Sequence, residues 1–115
     1  MRDMTGRFIS TYSIVLTLPL RVDHLPERGA SVRAASASSL PGGGCTILSA
    51  VAAQGVSAGM ASPLGTGPNS FTVRQMLAEA DISILTSELV GDIGVSVTLV
   101  EADGSTTSIV TPGVE

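Results

Sequence analysis

Leu40-Pro41-Gly42-Gly43-Gly44-Cys45-Thr46 runs directly into the apolar segment Ile47-Leu48-Ser49-Ala50-Val51-Ala52-Ala53-Gln54, which stops at Gly55. Three consecutive glycines let a backbone turn through positive φ or come close to a ligand. A helix starting after them turns its unpaired N–H groups and the positive end of its dipole back on the loop. The spacing predicts a helix of about three turns with Ile47, Leu48, Val51 and Ala52 on its inner face and Gly55 as its terminator. The glycines suit a ligand corner and a plain flexible turn alike. A phosphate loop is excluded, because the Gly-x-x-x-x-Gly-Lys-Ser/Thr spacing is absent and the chain contains no lysine.

Upstream, Phe8 to Leu20 follows Arg2 and Arg7 in the manner of a secretory leader. Ser10, Thr11, Ser13 and Thr17 interrupt it, so it reads as a buried strand. Its β-rich centre, Ile14 to Leu18, suits a central strand covered on both faces, with Pro19 limiting its pairing. Arg21 to Gly29 is an exposed crossing, and the small, polar stretch from Ala30 to Leu40 suits a thin edge strand or a loop.

Downstream, Val56 to Pro63 alternates as a second strand beside the first. A second glycine corner, Leu64-Gly65-Thr66-Gly67-Pro68-Asn69-Ser70, precedes a helix with Pro68 near its start, Ser70 as a candidate cap and Val73, Met76, Leu77 and Ala80 on its apolar face. That corner fits ligand approach or an ordinary strand-to-helix turn. Ile82 to Leu85 restarts the β character. Val95, Val97 and Leu99 then alternate with Ser96 and Thr98, turn at Ala102 to Ser105 and return over Thr106 to Thr111, a hairpin. Strand, helix, strand, helix and hairpin give an α/β layout.

Composition narrows the function. The chain has 115 residues, enough for one small domain, with 43% apolar and 3% aromatic residues. Only 14% are charged, below the usual quarter or so, which suits a piece whose apolar surface is covered by more chain or a partner. The net charge of −4 and the scattered arginines leave no basic patch for nucleic acid. No span suits a membrane. Cys45 is the only cysteine, so no disulfide framework or Cys/His metal cluster is expected, and a reducing, cytoplasmic setting fits. His24 reads as a surface residue.

The order of motifs resembles the N-terminal part of the ribokinase-like (PfkB) carbohydrate kinases from about Ile14 to Glu115. It rests on Leu25-Pro26-Glu27-Arg28-Gly29, on Pro41-Gly42-Gly43-Gly44 leading to Ala50-Val51-Ala52-Ala53-Gln54-Gly55, and on Gly65-Thr66-Gly67-Pro68 leading to Val73-Arg74-Gln75-Met76-Leu77. The Asp-Gly hairpin tip and the final Pro-Gly-Val-Glu complete it. The resemblance implies a Rossmann-like, ribokinase-type sheet with flanking helices and a small β-lid hairpin, truncated. Residues 1–115 would be the N-terminal portion of one kinase domain, with lid segments at about 19–40 and 93–111.

In such kinases a sugar or nucleoside sits between the body and the lid, and a catalytic Asp activates its hydroxyl toward ATP. That Asp belongs to a Gly-Ala-Gly-Asp motif far toward the C-terminus, so the resemblance assigns no catalytic residue here. It implies substrate contacts from Gly42, Gly43, Thr46 and Thr17, with ATP and Mg2+ held mostly outside this chain and a homodimer formed through lid strands. Thr17 stands where the family usually has a sugar-binding Asp, and Thr46 where it usually has an Asn. Tyr12 and Val15 stand where a Gly and a small polar residue are common, and Thr66-Gly67 where many relatives have Gly-Asp-Asp. The other readings are a non-catalytic β-lid dimerisation or sugar-binding module and an inactive gene fragment.

Overall fold

The structure, a computed structural model, describes residues 6–115. The order is β1 (Arg7–Ser10), β2 (Leu16–Arg21), β3 (Ser36–Ala37), β4 (Leu40–Pro41), α1 (Gly44–Ala53), β5 (Ser57–Met60), α2 (Pro68–Glu79), β6 (Ile82–Ile84), β7 (Val95–Val100) and β8 (Thr106–Val110). Two sheets form. A parallel one has the order β1-β5-β6; in the other, β2 pairs with β3, β4 and β7, and β7 pairs with β8. The mixed α/β class expected from the sequence is present.

Strand periodicity builds the core. Phe8, Ala58 and Ile82 lie side by side, as do Ser10, Met60 and Ile84, so these positions share the face that meets the helices. Cys45 and Leu48 from α1 and Val73 and Leu77 from α2 pack there, with Ile14, Leu16, Leu64 and Ile93 closing the cluster. Ile47, expected inside, is 40% exposed. The helix takes its phase from the glycine corner: Gly44 rests against the Tyr12 carbonyl, which turns Cys45, Leu48 and Ala52 inward and Ile47 out.

Phe8 to Leu20 is not one buried strand. It splits into β1, in the parallel sheet, and β2, in the other. The break is local: the buried Ser10 hydroxyl accepts the Tyr12 N–H at 3.2 Å, a short side-chain turn that competes with strand continuation. The Val56 to Pro63 strand therefore lies beside Arg7–Ser10, not beside Ile14 to Leu18. The Ala30 to Leu40 stretch supplies two minimal edge strands, β3 and β4.

β2 is central in its sheet, parallel to β7 and antiparallel to β3 and β4, but most of it is only half-buried rather than covered on both faces. Leu16 and Val22 donate toward the β7 side, to Gly94 and Val100 at 3.0 Å each, so the even positions of the strand point that way. Pro19 is odd, and it faces the gap between β4, paired at Leu16 and Thr17, and β3, paired at Leu20 and Arg21. Its missing N–H costs the ladder nothing. Pro19→Ala is expected to change stability by less than about 0.5 kcal/mol, and Leu18→Pro to lower it by about 3 kcal/mol or more, checked by urea denaturation.

The opposite face of the parallel sheet carries Ile9, Gly59 and Ser83 in register, with Leu85 lying over Gly59. Ile9 and Leu85 are 43% and 41% exposed, although parallel sheets are ordinarily covered on both faces. The second sheet projects from this body: the radius of gyration is 16.7 Å, against about 13 Å for a compact domain of this length.

Asp81 follows α2 with φ 59°, in the left-handed region, and places a carboxylate at the negative end of the helix dipole. Asp81→Gly is expected to raise the melting temperature by a few degrees, corresponding to about 0.5 kcal/mol, in a calorimetric scan.

Candidate functional site

The first glycine corner joins β4 to α1 and packs against residues 12–17, where the chain passes from the parallel sheet to β2. Gly42 N–H donates to the Val15 carbonyl at 2.8 Å and Gly44 N–H to the Ser13 carbonyl at 3.0 Å, so the corner is sewn to the Tyr12–Thr17 segment by main-chain bonds. A Cβ at Gly42 would lie 2.6 Å from Thr17 Oγ1, and one at Gly44 2.7 Å from the Tyr12 carbonyl oxygen. At Gly43 a side chain would strike the Ser13 carbonyl, and its φ of 62° is left-handed. Only glycine fits there.

Gly43 is the N-cap of α1, and no side chain caps that helix. Thr46 N–H returns to the Gly43 carbonyl at 3.2 Å, and Cys45 N–H to Gly42 at 3.5 Å. Gly43 N–H has no partner among the described residues. The corner therefore presents an open backbone donor at a helix start, which favours a ligand oxygen there.

Of the residues singled out from the sequence, Thr17 and Gly42 are brought into contact, with Gly43 next to them. Thr17 is half-buried in β2 opposite Leu40, and Thr46 is exposed in the first turn of α1. The parts played by the Ser13 and Val15 carbonyls, as acceptors for Gly44 and Gly42, escaped sequence reasoning because a carbonyl leaves no side-chain signature. Cys45 is buried, with Sγ 3.8 Å from Ser49 Oγ, and His24 is exposed.

The second glycine corner is closed by a residue the sequence did not flag. Asp92 accepts the N–H groups of Asn69 at 3.0 Å, Ser70 at 2.8 Å and Ile93 at 2.9 Å, and the Ser70 hydroxyl at 2.7 Å. Ser70, expected as the cap of α2, instead lies fully buried in the first turn, accepting from Gly65 N–H at 2.9 Å and Ile93 N–H at 3.3 Å; the capping carboxylate is Asp92. Burial pushes the Asp92 carboxyl upward, but the bonds from Ser70, Asn69 and Ile93 outweigh it and hold the group below its ordinary value. Gly67 has no room for a side chain, since a Cβ would meet the Asp92 carboxylate. The start of α2 is thus filled by the chain's own anion, and ligand approach there is blocked.

The same knot fixes the root of β7. Val114 N–H donates to the Asp92 carbonyl at 2.9 Å, and Gly94 N–H to Glu115 Oε1 at 2.7 Å. Arg74 Nη1 donates to the Gly65 carbonyl at 2.9 Å and pairs with Glu88 at 3.6 Å.

Two small clefts, each of about 180 Å³, lie away from the glycine corner, one against Arg21, Val22 and Glu101 and one against Gly55, Val56 and Asp81. Among the described residues no three His, Cys, Asp or Glu side chains gather as a metal site, and no helix is long and apolar enough to cross a membrane.

No family model matches the sequence, and no curated protein does. Solved structures do match its fold. The ribokinase of Arabidopsis thaliana, complexed with ribose and ATP, superposes with a TM-score of 0.80 at 18% identity, over 96% of this chain and 37% of that one. Thermotoga maritima ribokinase gives 0.79 at 21% identity over 95% and 37%, and the tetrameric inhibited form of Escherichia coli phosphofructokinase-2 gives 0.75 at 24% over 96% and 36%. The chain has the ribokinase fold and spans little more than a third of the length of these proteins.

Proposed function

We propose that this chain is the N-terminal portion of a carbohydrate or nucleoside kinase, residues 1–115 supplying a sugar-binding corner and a lid. The observation that carries the reading is the Gly42-Gly43-Gly44 corner. Its backbone is sewn to the Tyr12–Thr17 segment, its Gly43 N–H is open, and it sits between the two sheets of a ribokinase fold. Gly42 and Gly43 let the main chain pack against Thr17 and the Ser13 carbonyl, which leaves the exposed Gly43 N–H to donate to a sugar oxygen, and the hydroxyls of Thr17 and Thr46 each exchange one hydrogen bond with the sugar. The second sheet, with segments at about 19–40 and 93–111, is the lid that shields the corner from water.

The corner holds no base for phosphoryl transfer, so this chain binds and orients while the base comes from further structure. The uncovered Ile9 and Leu85 face supports that division, since an additional α/β segment would complete it. ATP and Mg2+ would serve such a kinase. The described residues do not fit them, because Asp92 fills the start of α2 and no metal-ligating trio is present, so no step is routed through either.

A second reading, a lid-mediated homodimer, is favoured by β8, an edge strand whose Ile109 and Val110 are each 66% exposed. Sedimentation of the chain with and without Val110→Lys tests it, a dimer that dissociates in the variant being the supporting result.

The sugar reading is tested by thermal melts of the 115-residue chain against millimolar sugars and nucleosides. A melting temperature that rises with one ligand in proportion to occupancy supports it, and a transition indifferent to every ligand contradicts it.

A further inference from the structure

Tyr12 is the chain's only tyrosine and stands at the rim of the glycine corner. It is 67% exposed, whereas Ile14, two residues on, is fully buried. Its backbone is nevertheless fixed. Its N–H donates to Ser10 Oγ at 3.2 Å, its carbonyl oxygen lies 2.7 Å from where a Gly44 Cβ would stand, and its own Cβ lies 3.0 Å from that point. An aromatic side chain that is 67% exposed is thus held out from a hydrogen-bonded main chain.

The polar groups beside it are all neutral. Tyr12–Thr17 and Pro41–Thr46 contain no Asp, Glu, Lys or Arg, so the corner offers hydroxyls and backbone groups but no carboxylate. Neutral hydrogen bonds to sugar hydroxyls are roughly half as strong as charge-assisted ones, and they exchange nearly evenly with water. A free sugar is therefore weakly held here. Stacking on an aromatic ring does not suffer that exchange, and it accepts any flat π-face.

We infer that Tyr12 is a specificity-determining residue that stacks on the aromatic group of a sugar derivative, the base of a nucleoside in the simplest case, selecting it over the free sugar. This rests on the sugar-corner reading above.

The test is isothermal titration calorimetry of the 115-residue chain with adenosine and with D-ribose, for the wild type, Tyr12→Phe and Tyr12→Ser. Adenosine is expected to bind about tenfold more tightly than ribose. Tyr12→Phe should keep that ratio, and Tyr12→Ser should reduce adenosine to the ribose level while leaving ribose unchanged. Because the side chain is exposed, the ligand-free melt of Tyr12→Ser should match the wild type, which separates lost stacking from unfolding. Proton spectra give a second readout, since the single tyrosine yields one set of ring resonances, expected to move upfield with adenosine and not with ribose.

Equal binding of ribose and adenosine with unmoved ring resonances, or tight adenosine binding that survives Tyr12→Ser, overturns the inference and leaves the sugar corner standing. Binding of neither ligand overturns both.

Discussion

Asp92→Ala is expected to lower the unfolding free energy by about 3 kcal/mol, enough to drop the melting temperature by more than about 10 °C. Four donors converge on this carboxylate, and three belong to the first turn of α2. Removing it leaves the Ser70 hydroxyl, in a fully buried residue, without its acceptor and strips α2 of its cap, each a loss of about 1–2 kcal/mol. Asp92→Asn keeps the shape and one acceptor oxygen but loses the charge, and should cost roughly half as much.

The same group sets an acid limit. Its pKa is lowered in the folded state, so the unfolded chain binds the proton more readily; the stabilisation is complete above the unfolded carboxyl pKa of about 4 and is lost as pH falls through the lower folded value. Wild type should therefore lose stability below about pH 4 more steeply than Asp92→Asn in a pH series of urea melts. Parallel slopes would show that the carboxylate is not held as described.

Gly43→Ala is the second large effect, about 3 kcal/mol or more of destabilisation together with loss of any ligand response. Alanine at φ 62° costs about 1–2 kcal/mol, and its Cβ would drive into the Ser13 carbonyl, which is already accepting from Gly44 N–H. Gly29 is the control. Its φ of 78° is similar, but a Cβ there meets nothing, so Gly29→Ala should cost only the backbone strain. Gly42→Ala should lie between, because its obstacle is the Thr17 hydroxyl 2.6 Å away, and adding Thr17→Ala should recover part of the loss. Denaturant melts of the four variants measure these differences, and equal costs at Gly43 and Gly29 would contradict the packing of the corner.

Much of the fold was legible because local signals agreed with the global layout. Gly55, with φ 78°, ends α1 as expected, Pro68 opens α2, and the Asp103-Gly104 tip joins β7 to β8 through a Gly104 to Glu101 bond of 2.9 Å. The split of Phe8 to Leu20 was not legible. Both parts have strand-forming residues, and only the Ser10 side-chain turn and the tertiary pairing separate them. Ile47 was misplaced because a short apolar helix has several nearly equivalent faces, and the Gly44–Tyr12 contact chooses among them.

At the candidate site, glycines were readable because steric exclusion leaves a compositional trace. The carbonyls of Ser13 and Val15, and the trans cap from Asp92 some twenty residues beyond the start of α2, leave none. Those contacts arise from topology, not from spacing along the chain.

The most direct test of the sugar corner is amide chemical-shift mapping of the 15N-labelled chain titrated with D-ribose. Saturable shifts concentrated at Gly42, Gly43 and Thr46, with a smaller response at Thr17, are the expected result. Amides that stay in place at the corner, or that move only around Arg21, Val22 and Glu101 or around Gly55 and Asp81, would contradict the account and place any binding in one of the other clefts.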